Sequence, residues 1–227
     1  MLDTAFERAG FCVVRGPDLL WGGDIHEFHP PGAVFSGVIG GPPCQSHVRY
    51  AALNRAIGNK VAPDLTSEFI RVVAECGPDW FLMENSSLIP AVSVPGFHVQ
   101  ELVLNAVLFG LEQNRARKFQ FGCRDGRRIS PEILAVVPER AEKACLASEG
   151  GSGVISNSRR ETGAQKSYYA PRRPWSRFCE LQGLPATFLT KSPFTIKERY
   201  RVVGNGVPLP MGEAVAKAVA KLYEKSK

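Results

Sequence analysis

The chain has 227 residues, 44% hydrophobic and 22% charged, with 28 Lys and Arg against 22 Asp and Glu for a formal net charge of +6. That length supports one domain, or one with a small second lobe, around a core that needs no staples, and the composition excludes disorder and coiled coil. No apolar run reaches the roughly 18 residues that span a bilayer, MLDTAFERAG has no signal-peptide pattern, and six cysteines without a CxxC pair exclude a zinc ribbon or dithiol motif, so a reduced cytoplasmic protein is expected.

Residues 2–10 predict a short helix with Ala5 and Phe6 inward and Gly10 as its stop. FCVV (11–14) reads as a buried strand, and VFSGVIG (34–40) as a second, ended by Gly40, Gly41, Pro42 and Pro43. Residues 64–76 show helical spacing at Phe69, Val72, Val73 and Cys76, with Asp64 or Thr66 as cap. DWFLMEN (79–85) is a third strand, and residues 97–110 read as an amphipathic helix stopping at Gly110. Strands alternating with helices predict βαβ units and a parallel sheet covered on both faces. From 123 to 175 the rhythm fails in a Gly-, Ser- and Arg-rich stretch that predicts an irregular lobe. Order returns with WSRFCELQGLP and a last helix from Pro210 to Tyr223. The expected division is a core over 1–122, a small lobe over 123–175 and a segment returning to the core over 176–227.

Residues 114–177 hold fourteen Lys and Arg against six Asp and Glu, a net of +8, and the remainder nets −2. Such a block is the footprint of a phosphate-binding face, although a solvated arginine-rich loop would look the same. Arg127, Arg128, Arg159, Arg160, Arg172 and Arg173 are its candidate phosphate contacts, none assignable to a base. His26, His29, His47 and His98 lack metal-ligand spacing, and the cysteines other than Cys44 read as packing or surface thiols.

In open parallel sheets, ligands bind outside the carboxyl ends of the strands. Cys44 follows one predicted strand within GGPPCQ, and Glu84 ends another, so a thiol and a carboxyl fall at equivalent ends. Two prolines stiffen the turn before Cys44, and a thiolate is a strong nucleophile.

These segments resemble DNA cytosine-5 methyltransferases over most of the chain. GGPPCQ (40–45) is similar to that family's nucleophile loop. MENS (83–86) resembles its Glu-Asn motif, with Ser86 where Val is usual. QNRARKF (113–119) matches a Gln-x-Arg-x-Arg motif, LQGLP (181–185) is similar to LQGFP, and RVVGNGVPLPMGEAVAKAV (201–219) resembles the closing GNxV motif. The resemblance implies a Rossmann-like α/β sheet dependent on S-adenosylmethionine, with a small basic target-recognition lobe. It implies that Cys44 attacks C6 of a cytosine flipped out of double-stranded DNA, and that Glu84 holds N3 and shares its proton. Arg115 and Arg117, two positions apart on an extended segment, are expected on one face, contacting the ring carbonyl or a phosphate, with Gln113 beside them toward DNA. Asp18, Trp21, Asp24, Ile25, Pro43 and Asn205 are the expected cofactor contacts.

The family's first strand and FxGxGG loop have no counterpart after Met1, so weak or absent cofactor binding is expected of the chain as written. A bared sheet edge would invite a partner chain or self-association. No metal or membrane is expected. Restriction-modification is the implied setting, with a catalytically inactive DNA-binding relative, a subunit of a split methyltransferase and an enzyme acting on free pyrimidine nucleotides as alternatives.

Overall fold

The computed structural model describes residues 1–17, 23–43, 63–134, 137–151, 154–159, 165–170 and 172–224, the fifth and sixth of these segments as backbone. Helix α1 (Leu2–Arg8) buries Ala5 and Phe6 and stops where Gly10 adopts φ 93°. FCVV forms no strand: residues 11–17 pair with no ladder among the described residues, and Val14 is 66% exposed. The run is instead pinned through Phe11, whose ring stands 5.0 Å from that of Phe6 and 5.7 Å from that of Trp80.

Strand β1 (Gly37–Gly40), helix α2 (Thr66–Cys76) and strand β2 (Trp80–Asn85) form one parallel βαβ unit, with Gly37 opposite Trp80 and Gly40 opposite Met83. The carboxylate of Asp64 accepts the Thr66 N–H at 2.9 Å, and Gly77 ends α2 in the left-handed region. Phe69 on α2 meets Phe81 of β2 edge-on at 5.9 Å. A Cβ on Gly40 would lie 2.8 Å from the Phe69 ring, so the closeness of α2 to β1 depends on that glycine.

Beyond β2 the sheet departs from the expected all-parallel order. Residues 97–110 are not a helix but strand β3 (His98–Asn105) followed by a 3-10 turn over Ala106–Phe109. Two-residue β4 (Gln113–Asn114) precedes β5 (Ala116–Cys123), which pairs antiparallel with both β2 and β3, giving the order β1-β2-β5-β3. A parallel βαβ unit extended by an antiparallel pair is a Rossmann-like α/β sheet. The strand was hidden because one of its two buried positions, Gln100, is polar. Gln100 is buried with both ends of its amide on the Ile129 backbone, at 3.0 and 2.8 Å, while Val103 points outward, 57% exposed.

The chain divides into two compact units. The sheet unit holds residues 2–105, 116–132 and 213–227, and the second holds 106–115 and 133–212 with Met1. Residues 123–132 therefore go with the sheet, and residues 176–212 with the second unit. In the second unit, β4 pairs in parallel with β6 (Glu142–Lys143). The stretch expected to be irregular contains an antiparallel hairpin, β7 (Val154–Arg159) with β8 (Gln165–Ala170). Helices α3 (Trp175–Leu181) and α4 (Ile196–Asn205) follow, and α5 (Leu209–Glu224) closes the chain. Rings of Trp175, Phe178 and Tyr200 pack at 4.6 to 6.1 Å. A Cβ on Gly204 would stand 2.6 Å from the Ala147 nitrogen, so only glycine lets α4 lie this close to the 3-10 turn Ala147–Gly150.

Candidate active site

Because β1 and β2 run in parallel, residues 41–43 leave the sheet beside Glu84 and Asn85. Asn85 rivets the two exits together, its Nδ2 donating to the Pro42 carbonyl at 3.0 Å while its Oδ1 accepts the Ser86 N–H at 2.8 Å. The chain entering the Cys44 loop is thus fixed against the end of β2. Cys44 itself, like Asp18, Trp21 and Arg160, lies outside the described residues, and so does the side chain of Arg159.

Glu84 is 8% exposed, and its Oε1 lies 2.9 Å from Nε of Arg117. Glu84 stands opposite Phe119 on β5, so Arg117, two residues before Phe119, shares its face. On the other side, a Cβ on Gly41 would stand 3.2 Å from Oε2 of Glu84. A carboxylate held between a guanidinium and a bare glycine backbone has little rotamer freedom, which suits a group that must meet one edge of a planar base.

Arg115 does not join Arg117. It falls between β4 and β5 rather than on one continuous strand, is 3% exposed, and donates to the carbonyls of Cys145 at 2.6 Å, Gly204 at 2.6 Å and Gly206 at 3.1 Å. Those bonds hold both neighbours of Asn205, so Arg115 is committed to backbone carbonyls and does not share with Arg117 the expected face toward a ring carbonyl or phosphate. Gln113 likewise faces inward, fully buried. Its Oε1 accepts the Cys145 N–H at 3.1 Å and its Nε2 donates to the Leu181 carbonyl and to Oε1 of Gln182, which corrects its expected place against DNA.

The candidate phosphate contacts separate in the same way. Arg127 bonds Asp125 and the Leu222 carbonyl, both at 2.6 Å, and lies 4.6 Å over the Tyr223 ring. Arg173 is held by Cys145 Sγ at 3.3 Å, the Lys143 carbonyl at 3.3 Å and Glu142 at 3.4 Å. Internal partners therefore occupy both. Arg128 and Arg172 are exposed.

Asp24 caps the 3-10 turn Ile25–Glu27, its Oδ1 accepting the His26 N–H at 3.0 Å. Arg71 of α2 holds that turn by the carbonyls of Ile25 at 2.7 Å and Phe28 at 3.0 Å, and is itself gripped by Glu68 and Glu75 at 2.8 Å each. The exposed Asp24 carboxylate thus stands on an anchored turn. Asn205, exposed, ends α4 in the second unit.

Sequence reading missed Arg71 and a set of polar side chains that clamp the loop after Asn85. Gln120 accepts the Val92 N–H at 2.7 Å and donates to Pro90 at 3.0 Å, while Lys118 donates to Ile89 at 2.8 Å and pairs with Glu101. Their only signal was polar residues two apart on an otherwise apolar strand. Among the described residues, no group of His, Cys, Asp and Glu could hold a metal ion, and no helix is long and apolar enough to cross a membrane.

Over 158 residues the chain is 32% identical to the Type II methyltransferase M.FnuDI of Fusobacterium nucleatum, covering 57% of this chain and 45% of that protein. Over 106 residues it is 33% identical to the Type II methyltransferase M1.HphI of Haemophilus parahaemolyticus, covering 41% and 28%. The chain spans less than half the length of these relatives. The solved S. pombe Dnmt2 methyltransferase aligns over 84% of this chain and 78% of its own at 14% identity and a TM-score of 0.48. The family model for C-5 cytosine-specific DNA methylase matches residues 22–159, more than half of the chain, a span that contains the GGPPCQ, MENS and QNRAR segments. This chain belongs to the C-5 cytosine-specific DNA methylase family.

Proposed function

We propose that the chain methylates C5 of a cytosine flipped out of double-stranded DNA, through a covalent adduct with Cys44. The observation that carries this reading is the Glu84–Arg117 pair, 2.9 Å apart, with Asn85 tying the same strand end to the loop that leads into Cys44. Cytosine C5 is a poor nucleophile until the ring is activated. The Cys44 thiolate adds to C6, and the displaced electron pair makes C5 the nucleophile. Glu84 holds N3 and shares its proton so that charge does not build on the ring. Arg117 orients Glu84 and lies on the side where the ring carbonyl would sit. S-adenosylmethionine supplies the methyl group when bound, and Asp24, Ile25 and Pro43 are the residues of the sheet unit that would hold it. Loss of the C5 proton to a base then returns an electron pair that breaks the bond from C6 to sulfur and frees Cys44. Unstacking the base costs a few kcal/mol, which phosphate contacts of basic side chains offset.

Duplex DNA carrying 5-fluorocytosine tests the reading, because fluorine cannot leave as a proton does and the adduct persists. Incubation with S-adenosylmethionine and a denaturing gel should reveal a covalent complex that vanishes in Cys44→Ser. DNA retention without any adduct would favour the catalytically inactive relative or split-enzyme subunit, and a protein that ignores DNA at low salt would discard both.

A further inference from the structure

We infer that the second unit grips the DNA backbone with a face centred on helix α4, formed by Arg172, Lys191, Lys197 and Arg201, three of which lie outside the basic stretch 114–177. The inference rests on the DNA-methylating reading and names the surface that reading leaves unassigned. The sheet unit contains fifteen basic and fifteen acidic residues, whereas the second contains thirteen basic and seven acidic ones, so the chain's whole net charge of +6 belongs to the second unit.

The acids of that unit are largely engaged inside it. Glu112, Glu142 and Glu180 all meet Arg177, at 2.5, 2.7 and 2.9 Å. Glu149 accepts the Leu146 N–H at 2.9 Å and lies 3.6 Å from Arg173. Glu198 closes a capping box on Thr195, with bonds of 2.7 and 2.8 Å, and those bonds together with nearby Arg201 hold its carboxyl below the usual carboxylate range. What remains is exposed Glu139 and, outside the described residues, Glu161.

The cations are engaged less completely. Arg115, Arg173 and Arg177 are committed to internal partners, and Arg199 staples the preceding loop through the carbonyls of Phe194 at 3.1 Å and Thr190 at 3.2 Å. Lys191, Lys197, Arg201 and Arg172 stand exposed. Helix α4 turns Tyr200, Val203 and Gly204 inward, and Lys197 and Arg201, both exposed, lie one turn apart along the flank of that buried face. That separation is about 6 Å of helix rise. Duplex DNA carries one phosphate per about 3.4 Å of axis on each strand, so this separation spans about two phosphate steps and lets both cations reach one strand. The Arg172 guanidinium stands 5.4 Å from the centre of the Tyr200 ring, which joins the end of the 114–177 stretch to this helix.

Binding of the full chain to a fluorescent duplex with no target cytosine, read by anisotropy between about 50 and 200 mM salt, isolates the phosphate term. Replacing Lys197 and Arg201 together by Gln should weaken binding about tenfold and flatten the slope of log K against log salt by about 1.8, or about 0.9 per lost contact. Adding Arg172→Gln should flatten it by about 0.9 more. Lys217→Gln, on the neutral unit, should change neither quantity. A double variant that binds with the wild-type affinity and slope overturns the inference and leaves the methylation reading standing if the 5-fluorocytosine adduct still forms. A wild-type chain that does not bind the duplex overturns both.

Discussion

The two units differ in what their buried polar groups do. In the sheet unit they hold the end of β2 and the loops beside it: Arg117 at the Glu84 carboxylate, Asn85 on the chain entering the Cys44 loop, and Lys118 and Gln120, on the opposite sheet face, on the loop after Asn85. In the second unit they hold backbone to backbone: Arg115 on three carbonyls, Gln113 and Gln182 bridging α3, α4 and the Cys145 loop. One short motif, Gln113-Asn-Arg115-Ala-Arg117, supplies members to both sets. Identical arginines two positions apart therefore take unlike partners, and residue type alone does not say which takes which. The difference in charge follows the same division, with a neutral sheet unit and a basic second unit.

The sharpest break in this comparison comes at the carboxylate. Glu84→Gln keeps shape and volume but removes the charge facing Arg117, and the rate of 5-fluorocytosine adduct formation should fall by about 10²- to 10⁴-fold, the usual range for losing a positioned acid–base group. The melting temperature should barely move. A variant that forms adduct at the wild-type rate would remove Glu84 from the chemistry.

The two arginines give the next contrast. Arg115→Ala strands three buried carbonyls, and losing a buried charged donor of this kind costs about 3–5 kcal/mol. At about 2–4 °C per kcal/mol for a chain this size, the melt should drop by roughly 6–20 °C. Arg117→Ala should lose activity, and because it leaves the single buried carboxylate of Glu84 unpaired rather than three carbonyls, its melt should fall by less than that of Arg115→Ala. Equal losses of stability in both variants would mean that the motif is structural throughout.

A smaller effect tests the packing beneath the site. A Cβ on Gly122 would stand 2.1 Å from the Phe81 ring, inside the sheet. Gly122→Ala should cost about 1–3 kcal/mol of stability by overpacking, measured by urea unfolding, without changing DNA affinity. If DNA affinity falls instead, the sheet unit takes part in the grip.

Much of this was legible where one rule governed the residue. The βαβ unit could be read because Phe69, Val72, Val73 and Cys76 keep helical period and Trp80–Asn85 is buried at every position. Glu84 could be placed because a strand's carboxyl end is a general site for ligands. Strand β3 could not, since inward Gln100 and outward Val103 invert the alternation that identifies strands. FCVV misled in the opposite sense, as an apolar run whose backbone finds no ladder among the described residues and which is anchored through the ring of Phe11. Charge along the sequence was a coarser guide than charge by unit. The 114–177 block mixes Arg117, Lys118 and Arg124 of the neutral unit with cations of the basic one, and it omits Lys191, Lys197 and Arg201.

The mildest effect concerns alkaline pH and separates thiols by environment. Burial pushes Cys145 and Cys179 of the second unit up to about 11, with nearby Cys145 adding to the shift of Cys179, whereas Cys12 is exposed. An unfolded thiol ionises near 9.0, so between that pH and about 11 the folded chain binds more protons than the unfolded one. Stability from these two residues is complete below pH 9, and it declines as pH climbs toward 11. Buried Cys76 and Cys123 of the sheet unit shift in the same direction, and Tyr223 there rises to about 12. Thermal melts at pH 8 and pH 10 should therefore differ, and changing Cys145 and Cys179 to Ala should shrink that difference without removing it. Thiolate absorbance should rise at lower pH in the denatured chain than in the native one. Coincident native and denatured titrations would show that water reaches these thiols, and with them the Cys145 loop that Gln113 and Arg115 hold in place.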